Sequence, residues 1–365
     1  MMPRVLIAAG GTGGHVFPAL AVAQELMRRG WHAEWVGSDR GLESRVIPPA
    51  GIGLHILRFR GVRGRGLRAW LSLPFRLLAA MRQAADIVRR SRPEVVVAFG
   101  GYVTFPVGLM AVLQRIPLCV HEQNAVMGTA NRWLARLAKQ VMVSFPATRF
   151  APSSACLIGN PVREAIHALP DPAERYGQRT DALRLLVIGG SLGAAALNRA
   201  LPGVLAHAVS LGQALNIRHQ TGPQQHAEVT ADYSRLGLNA DCSAFIDDIE
   251  NAYAWADLVI CRAGASTVTE VAAAGVAALF VPLPSAIDDH QSANARYLAD
   301  QEAAWITAQK ELSTASTGAW IAGLSRAQLM ARAEKARKLS MRGATQQAAD
   351  LVASVRVAES GRGLS

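Results

Sequence analysis

Val5-Leu-Ile-Ala-Ala-Gly-Gly-Thr-Gly-Gly-His15 is an unbroken apolar run that leads directly into a glycine-rich turn. A parallel strand that is buried on both faces has such a run. The glycines allow the backbone to turn tightly and leave room for a ligand. Where such a turn opens a helix, unpaired amide groups and the positive end of the helix dipole face outward and favour an anion such as a phosphate. The stretch predicts a strand, an anion-binding turn and a helix.

A second stretch of the same form occurs almost half a chain later, at Leu185-Leu-Val-Ile-Gly-Gly-Ser-Leu-Gly193. Two further apolar runs, at 95–101 and 117–122, also end in glycine or polar residues. In an open parallel sheet, ligands bind beyond the carboxyl ends of the strands. We therefore expect two similar doubly wound α/β halves that face one cleft. In the first half, 18–29 predicts a helix that Gly30 ends, and 31–36 predicts the next strand.

The length and composition favour two domains. The chain has 365 residues, of which 50% are hydrophobic, enough for two cores of ordinary size. Gly159-Asn-Pro-Val-Arg163 is typical of a connection between halves. We expect a first domain over 1–160, a second over 161–340, and an amphipathic helix over 341–357 that completes the first.

Targeting signals and paired cysteines are not evident in the sequence. No apolar stretch reaches the roughly 18 residues of a spanning helix, and the first residues lead into a strand instead of a signal peptide. We therefore expect the protein in the cytoplasm. Cys119, Cys156, Cys242 and Cys261 are scattered without a CxxC spacing, which favours reduced thiols and no zinc site.

Positive charge is concentrated in the first half. The net charge of the chain is +11, but residues 1–160 contain 20 Lys and Arg against 7 Asp and Glu, whereas the remainder contains 18 against 20. Arginines interleaved with Trp, Leu and Phe suit an anionic membrane surface, because the cations meet headgroups while the apolar side chains enter the acyl boundary. We predict a membrane patch formed by Arg63, Arg65, Arg68, Trp70, Leu71, Phe75 and Arg76.

Two other interpretations of this basic stretch stay open. It is also typical of a solvated helix face with core residues on the other side. Nucleic-acid binding is a weaker third interpretation, because no recognised binding motif accompanies the charge.

The clearest anion site lies in the second half. Asp257-Leu-Val-Ile-Cys-Arg-Ala-Gly264 predicts a strand and a turn, and 265–274 predicts a helix that Gly275 ends. The amides near Ala265, Ser266 and Thr267 would face a pyrophosphate, and Glu270 could accept hydrogen bonds from ribose hydroxyls. An alternative is equally consistent with the local sequence: Thr267-Val-Thr-Glu270 fits a capping box, in which Glu270 folds back onto a backbone N–H.

His15 is a candidate general base, because the positive end of a helix dipole favours the neutral imidazole. A satisfied structural histidine is the alternative. His121-Glu-Gln-Asn124 supplies a rival base, Glu122, and an amide, Asn124, although both also suit a polar turn.

Two common nucleotide motifs are excluded. Gly11-Thr-Gly13 is not followed by the G-x-G-x-x-G spacing, no acidic residue closes the second strand, and no Gly-Lys-Ser or Gly-Lys-Thr occurs. The sequence argues against a dehydrogenase and a P-loop ATPase.

In combination, eight segments in order along the chain resemble the MurG family, peripheral membrane N-acetylglucosaminyltransferases that make lipid II of peptidoglycan. The segments are Gly10-Gly-Thr-Gly-Gly-His-Val-Phe-Pro18, Gly100-Gly-Tyr-Val103, His121-Glu-Gln-Asn124, Gly159-Asn-Pro-Val-Arg163, Gly189-Gly-Ser-Leu-Gly-Ala194, Phe245-Ile-Asp-Asp248, Arg262-Ala-Gly-Ala-Ser-Thr-Val-Thr-Glu270 and Asp289-His-Gln291. The eight segments together identify the family far more specifically than any one segment does alone.

The resemblance implies a GT-B fold, in which the first half binds the acceptor, lipid I, and the second binds UDP-N-acetylglucosamine. It implies donor contacts at Thr12, Gly13, Gly14, Asn124, Arg163, Ser191, Ile246, Ala265, Ser266, Thr267, Val268, Thr269, Glu270 and Gln291. Ser191 and 266–267 would lie by the phosphates, Glu270 by the ribose and Ile246 by the uracil. Ser292 stands where many relatives have a second Gln.

The implied reaction is an inverting displacement by the muramoyl C4 hydroxyl of lipid I, with UDP as the leaving group. Positioning and charge stabilisation would supply most of the rate, and closure about 160–161 would exclude water. No Asp-x-Asp occurs in the chain, so we predict no cofactor and no essential divalent ion. We expect His15 as the base, with Glu122 as the alternative.

The resemblance also implies a place at the cytoplasmic face of the inner membrane, a role in cell-wall synthesis, cell shape and division, and cell-wall or division proteins as partners. Nucleic acid is not an expected partner. Two rival functions stay open: a UDP-N-acetylglucosamine 2-epimerase, which needs no membrane patch, and a non-enzymatic binding module, which leaves Arg163, Glu270 and Gln291 without a role.

Overall fold

Two parallel β-sheets organise the protein, which is described here by a computed structural model of residues 2–38, 41–59, 72–190 and 193–360. The chain divides into two compact units, one formed by Met1–Pro161 with Gly343–Ser365 and the other by Val162–Arg342. Each unit has its own sheet and its own hydrophobic core.

The first unit contains a seven-stranded sheet in the order β3-β2-β1-β4-β5-β6-β7, with all neighbouring strands parallel. Its strands are β1 (Arg4–Ala9), β2 (His32–Gly37), β3 (Gly53–Ile56), β4 (Val95–Gly100), β5 (Leu118–Glu122), β6 (Gln140–Val143) and β7 (Cys156–Leu157). The glycine turn after β1 and the polar residues after β5 therefore lie at one edge of this sheet, the carboxyl edge.

Helices cover both faces of the first sheet. They are α1 (Gly13–Arg28), α2 (Glu43–Val46), α3 (Leu73–Ser91), α4 (Thr104–Leu113), α5 (Thr129–Ala135) and the C-terminal α15 (Ala344–Ser360), with a 3₁₀ turn at Pro48–Ala50. Alternate residues of β1 explain the unbroken apolar run, because Val5 and Ile7 belong to the core on one face while Leu6 and Ala8 belong to the core on the other.

The second unit contains a six-stranded parallel sheet in the order β10-β9-β8-β11-β12-β13. Its strands are β8 (Leu183–Ile188), β9 (Leu215–Gln220), β10 (Ala240–Ser243), β11 (Leu258–Cys261), β12 (Ala277–Phe280) and β13 (Trp305–Ile306). The first strand of each sheet, β1 or β8, lies near the centre and leads into a glycine-rich turn.

The helices of the second unit follow the same alternation. They are α6 (Glu164–His167), α7 (Pro172–Gly177), α8 (Ala195–Ser210), α9 (His226–Arg235), α10 (Ile249–Trp255), α11 (Ala265–Ala274), α12 (His290–Ala299), α13 (Thr314–Ala322) and α14 (Arg326–Lys338), with 3₁₀ turns at Ile287–Asp289 and Gln309–Glu311. The predicted end of α11 is confirmed, since Gly275 follows it in the left-handed conformation with φ of 57°.

One predicted boundary is wrong in an informative way. The first helix begins at Gly13, five residues before the predicted start, and Pro18 lies inside it. The carbonyl of Thr12 accepts hydrogen bonds from the amides of both His15 and Val16 at 3.1 Å, so the helix forms directly from the glycine turn. Proline removes one interior hydrogen bond but does not prevent this start.

Candidate active site

Backbone segments approach closely at the carboxyl edge of the first sheet. Gly101 has φ of +94°, and a Cβ atom there would lie 2.2 Å from the carbonyl oxygen of Gly10. Gly100 has φ of +117°, and a Cβ atom there would lie 2.8 Å from the ring of His15. Only glycine fits both positions, so the turns after β1 and β4 pack directly against each other.

A buried carboxylate holds the first glycine turn in place. Glu43 is fully buried, and its Oε1 accepts hydrogen bonds from the amide of Gly11 at 3.0 Å and from the amide and hydroxyl of Ser38 at 3.1 Å. Sequence reasoning missed this residue. The available signal was its place shortly after the end of β2, the neighbour of β1, in a half of the chain that has few acids.

His15 occupies the first turn of α1, and its ring is partly buried against Gly100. Its Nδ1 atom lies 3.0 Å from Oε1 of Gln123. Within the part of the chain that the structure describes, no group forms a hydrogen bond with its Nε2 atom. A neutral imidazole held in this way has one ring nitrogen engaged and the other available to take a proton.

The carboxylate of Glu122 is buried and fully engaged. Its Oε1 accepts from the amide and the side chain of Asn124 at 2.9 and 3.1 Å, and its Oε2 accepts from the amide of Gly128 at 3.0 Å and from the side chain of Asn131 at 2.9 Å. Glu122 is only 1% exposed. These bonds fix the loop after β5 and orient Asn124, which is itself partly exposed.

In the second unit, Gln220 supports the glycine turn after β8. Its side chain accepts from the amide of Gly189 at 3.1 Å and donates to the carbonyl of Gly190 at 2.8 Å. A Cβ atom at Gly193, which has φ of +77°, would lie 2.0 Å from the carbonyl oxygen of Thr221. Gly193 therefore packs directly against Thr221, which follows the end of β9. The predicted contact residue Ser191 lies outside the described residues.

The amino end of α11 has the uncapped amides that are typical of an anion-binding site. Gly264 is the N-cap, with an extended backbone and no side-chain cap, so the first amides of the helix have no capping oxygen. The hydroxyl of Ser266 is buried and has no hydrogen-bond partner among the residues described. Amides without a side-chain cap, together with a buried hydroxyl, can accommodate a phosphate.

Gln291 braces the segment that leads into α11. Its Oε1 accepts from the amide of Ala263 at 3.3 Å and from the amide of Leu283 at 3.0 Å. Asn294, one helical turn further along α12, donates to the carbonyl of Ala263 at 3.1 Å. Gln291 thus lies beside the predicted phosphate site, and its carbonyl oxygen shapes the turn.

Glu270 does not cap its helix. The capping-box interpretation is wrong, because α11 begins at Ala265 and Glu270 lies in its second turn. Its Oε2 instead accepts a hydrogen bond from the hydroxyl of Tyr253 at 3.1 Å. Burial raises the pKa of Glu270, and the nearby positive charge of Arg163 partly opposes this rise.

The remaining predicted donor contacts fall near these two edges. Thr12 is the exposed N-cap of α1, which Gly13 and Gly14 continue. Arg163 precedes α6, has a side chain that is 48% exposed, and lies 3.6 Å from Glu250. Ile246, between β10 and α10, is partly exposed. The predicted residues thus cluster at the carboxyl edge of each sheet, within each unit.

Most of the predicted membrane patch lies outside the described residues, namely Arg63, Arg65, Arg68, Trp70 and Leu71. Phe75, in the first turn of α3, is 78% exposed, and the neighbouring Arg76 is partly exposed. Leu78, one turn later, is 48% exposed. Two apolar side chains near the start of α3, those of Phe75 and Leu78, are therefore exposed to solvent.

The described ranges contain neither a membrane-spanning helix nor a cluster of metal-binding side chains. No helix in them is long and apolar enough to span a bilayer. No cluster of three or more His, Cys, Asp or Glu side chains in them could hold a metal ion.

Family models match both units. The glycosyltransferase family 28 N-terminal domain matches residues 5–143, and the glycosyltransferase family 28 C-terminal domain matches residues 184–354.

Similar proteins cover nearly the whole chain. The UDP-N-acetylglucosamine--N-acetylmuramyl-(pentapeptide) pyrophosphoryl-undecaprenol N-acetylglucosamine transferase of Bordetella pertussis is 53% identical over 349 residues, which are 96% of this chain and 97% of that protein. The protein of the same name from Ralstonia nicotianae is 49% identical over 354 residues, 96% of each chain.

Solved structures agree with this similarity. The crystal structure of a glycosyltransferase of kitacinnamycin has a TM-score of 0.71 at 16% identity and covers 97% of this chain and 99% of its own, a likeness of fold alone. The crystal structure of Acinetobacter baumannii MurG has a TM-score of 0.83 at 41% identity and covers 97% of this chain and 100% of its own. The present chain therefore has the GT-B fold and belongs to glycosyltransferase family 28 and, within it, to the MurG family.

Proposed function

We propose that this chain transfers N-acetylglucosamine from UDP-N-acetylglucosamine to the C4 hydroxyl of the muramoyl group of lipid I, with inversion, and so produces lipid II and UDP. The near-full-length similarity to the Bordetella and Ralstonia transferases carries the proposal. The two sheet edges support it, because one presents a candidate base and the other an uncapped helix end for a diphosphate.

The donor is proposed to bind at the amino end of α11. The amides of Ser266 and Thr267 face the diphosphate, together with Ser191. Glu270 accepts hydrogen bonds from the ribose hydroxyls, and its desolvated carboxyl group next to Tyr253 suits this role. Ile246 contacts the uracil.

Other proposed donor contacts come from both halves of the sequence. They are Thr12, Gly13, Gly14, Asn124, Arg163, Ala265, Val268, Thr269 and Gln291. Support for Gln291 is its contact with the segment before α11, and support for Asn124 is the rigid loop around Glu122.

His15 is proposed as the general base. The C4 oxygen of the acceptor attacks the anomeric carbon, the bond from that carbon to the β-phosphate oxygen breaks, and the hydroxyl proton passes to Nε2 of His15. This transfer accounts for about 100- to 10,000-fold of the rate. Glu122 is the weaker candidate, because its two oxygens already accept four hydrogen bonds inside the protein.

The negative charge that UDP gains on leaving is stabilised by the helix amides and by Arg163, without an essential divalent ion. Backbone amides fixed before the reaction need no reorganisation during it. The proposal therefore expects a reaction that continues in a chelator.

The chain is proposed to act at the cytoplasmic surface of an anionic membrane. Exposed Phe75 and Leu78 at the start of α3 support this position, as does the arginine-rich stretch before it. Apolar side chains among arginines bind anionic lipid surfaces by burial and charge together.

The test is release of UDP by the purified protein from UDP-N-acetylglucosamine, with and without a lipid I analogue, in the presence of a chelator. Release that needs the acceptor and survives chelation is expected. Release without acceptor, accompanied by formation of the 2-epimer, would assign an epimerase instead. No release, with or without added Mg²⁺, would overturn the proposal and favour a binding module.

A further inference from the structure

Four polar groups form a continuous chain of hydrogen bonds behind the ring of His15. Nδ1 of His15 lies 3.0 Å from Oε1 of Gln123. Nε2 of Gln123 lies 2.9 Å from Nδ1 of His121. Nε2 of His121 lies 3.2 Å from the carbonyl oxygen of Gly159. The last group can only accept a hydrogen bond, so it sets a direction for the whole chain.

The carbonyl of Gly159 determines which ring nitrogen of His121 carries a hydrogen. Nε2 of His121 must carry a hydrogen, because it faces the carbonyl of Gly159. His121 is fully buried, and burial lowers its pKa to about 4, so the ring is neutral near pH 7. A neutral imidazole that carries hydrogen on Nε2 has a lone pair on Nδ1, and this atom accepts from the side-chain amide of Gln123.

The same step fixes the amide of Gln123. Its NH₂ group points to His121 and its carbonyl oxygen points to His15. The flipped amide would need a hydrogen on Nδ1 of His121 as well, and hence a buried imidazolium. Gln123 is 1% exposed and also donates to the backbone carbonyl of His121 at 3.3 Å, which further holds this orientation.

We propose that Gln123 is a positioning residue that fixes the tautomer of His15, keeping the hydrogen on Nδ1 and the lone pair on Nε2. This inference rests on the proposed function, in which Nε2 takes the proton of the acceptor hydroxyl. A free imidazole can place its hydrogen on either nitrogen, and the wrong tautomer has no lone pair on the nitrogen that faces the substrate. An uncharged amide here does the task that a carboxylate performs in other His-containing sites.

The first measurement is the tautomer itself. Long-range ¹H–¹⁵N correlation spectra of the full chain labelled in histidine distinguish protonated from unprotonated ring nitrogens, and His15→Ala identifies the His15 signals among those of the nine histidines. Hydrogen on Nδ1 of His15 is expected in the wild-type protein. Hydrogen on Nε2 would overturn the proposal, whatever the folding of any variant.

Two variants then test the role of the amide. Gln123→Met removes the acceptor, and we expect His15 to change to a mixture containing the Nε2–H tautomer while kcat falls about 10- to 100-fold, a partial loss of the roughly 100- to 10,000-fold that general-base catalysis contributes. KM for UDP-N-acetylglucosamine should change less than twofold. Gln123→Glu keeps an acceptor for His15 and should keep the Nδ1–H tautomer and more of kcat than Gln123→Met. Its second oxygen faces the lone pair on Nδ1 of His121 in place of an N–H donor, so this variant should also be less stable than the wild type.

The matched control is Gln114→Met. Gln114 lies at the end of α4, and its side-chain amide donates to the carbonyl of Ala85 in α3. This variant should change neither the tautomer nor kcat. An unchanged His15 tautomer in folded Gln123→Met would refute the role of Gln123 while leaving the transferase intact. Wild-type protein that shows the expected tautomer but no acceptor-dependent UDP release would instead refute the proposed function.

Discussion

At the scale of single residues, the two candidate bases, His15 and Glu122, differ in how many of their polar atoms already form hydrogen bonds within the protein. Glu122 accepts four hydrogen bonds from its own loop and from α5, whereas His15 uses Nδ1 and leaves Nε2 without a partner among the described residues. A proton acceptor must have a lone pair that the substrate can reach. His15 meets this requirement, and Glu122 contributes to the shape of the loop.

We predict different defects for the two residues. His15→Ala should lower kcat about 100- to 10,000-fold with little change in melting temperature. Glu122→Gln places an NH₂ group against N–H donors, so it should lower the free energy of unfolding by about 1–3 kcal/mol. It should also raise KM for the donor, because Asn124 loses its anchor.

Steady-state kinetics and urea unfolding of both variants show which of the two residues is the general base. Normal stability of Glu122→Gln together with a loss of kcat as large as that of His15→Ala would make Glu122 the base. Asn131→Ala, which removes one of the donors to Glu122, serves as the control for loop damage.

At the scale of elements, α11 has the strongest link between sequence and site. Its strand, turn, start and terminal glycine could all be predicted, because each depends on residues that are neighbours in the chain. The partner of Glu270 could not be predicted. Tyr253 lies on a different helix, α10, and only the packing of the two helices brings the hydroxyl and the carboxyl group together.

This geometry gives a prediction for Glu270→Gln. The amide keeps the volume and can still bond Tyr253, so the melting temperature should be nearly unchanged. Loss of the carboxylate should raise KM for UDP-N-acetylglucosamine at least about 10-fold, since hydrogen bonds to charged groups contribute about 1.5–3 kcal/mol. Donor binding is measured by calorimetric titration.

Tyr253→Phe is the matched control, because it removes only the hydroxyl that bonds Glu270. We expect a modest loss of stability and nearly normal donor affinity. If Glu270→Gln binds the donor as tightly as the wild type, the carboxylate has no role in holding the ribose.

At the edge of the first sheet, too, a contact between residues on different elements could not be predicted from the sequence. The sequence of His121-Glu-Gln-Asn124 predicts roles for Glu122 and Asn124, yet Gln123 makes the contact with His15. Alternation along an extended backbone places His121 and Gln123 on one side, which was the available signal. The fold class followed from apolar runs and glycine turns, whereas a bond between residues 108 positions apart depends on tertiary packing.

At the scale of the whole molecule, buried neutral histidines make both units sensitive to acid. Burial lowers the pKa of His121 to about 4 in the first unit and that of His219 to about 3 in the second, from an ordinary value of 6.5. Below pH 6.5 the unfolded chain binds protons that the folded chain does not, so stability falls as pH falls. The decline reaches up to about 1.4 kcal/mol per pH unit for each histidine.

Calorimetric melting between pH 7 and 4.5 measures this decline. Glu25 and Glu34, whose partners lower their pKa to about 2, lose their contribution only below pH 4.5. Glu270, whose pKa burial raises, binds its proton more tightly in the folded chain and therefore opposes the decline, so the contribution of a histidine is obtained by comparing its variant with the wild type. His219→Gln should melt at a lower temperature at pH 7 but show a shallower decline with pH. A decline equal to that of the wild type would contradict the assignment.

The uneven charge of the chain predicts salt-dependent membrane binding. Phe75→Ser should reduce co-sedimentation with vesicles that contain anionic lipid, because it removes an apolar side chain that is 78% exposed. Leu211→Ser is the matched control, since Leu211 is 52% exposed but lies in the second unit. Equal losses in the two variants, or binding that salt does not weaken, would argue against a patch at the start of α3.

The C-terminal helix α15 has a consequence for the order of folding during synthesis. Ala348, Ala349 and Val352 complete the core beside β1 and α1, and Arg356 pairs with Glu94. The ribosome makes α15 only after the entire second unit, 162–342. The second unit can therefore reach its native state first, while the first unit, although it begins earlier, must wait with an exposed apolar face for its last helix. Chaperones that cover such a face would act on the beginning of this chain and not on its middle.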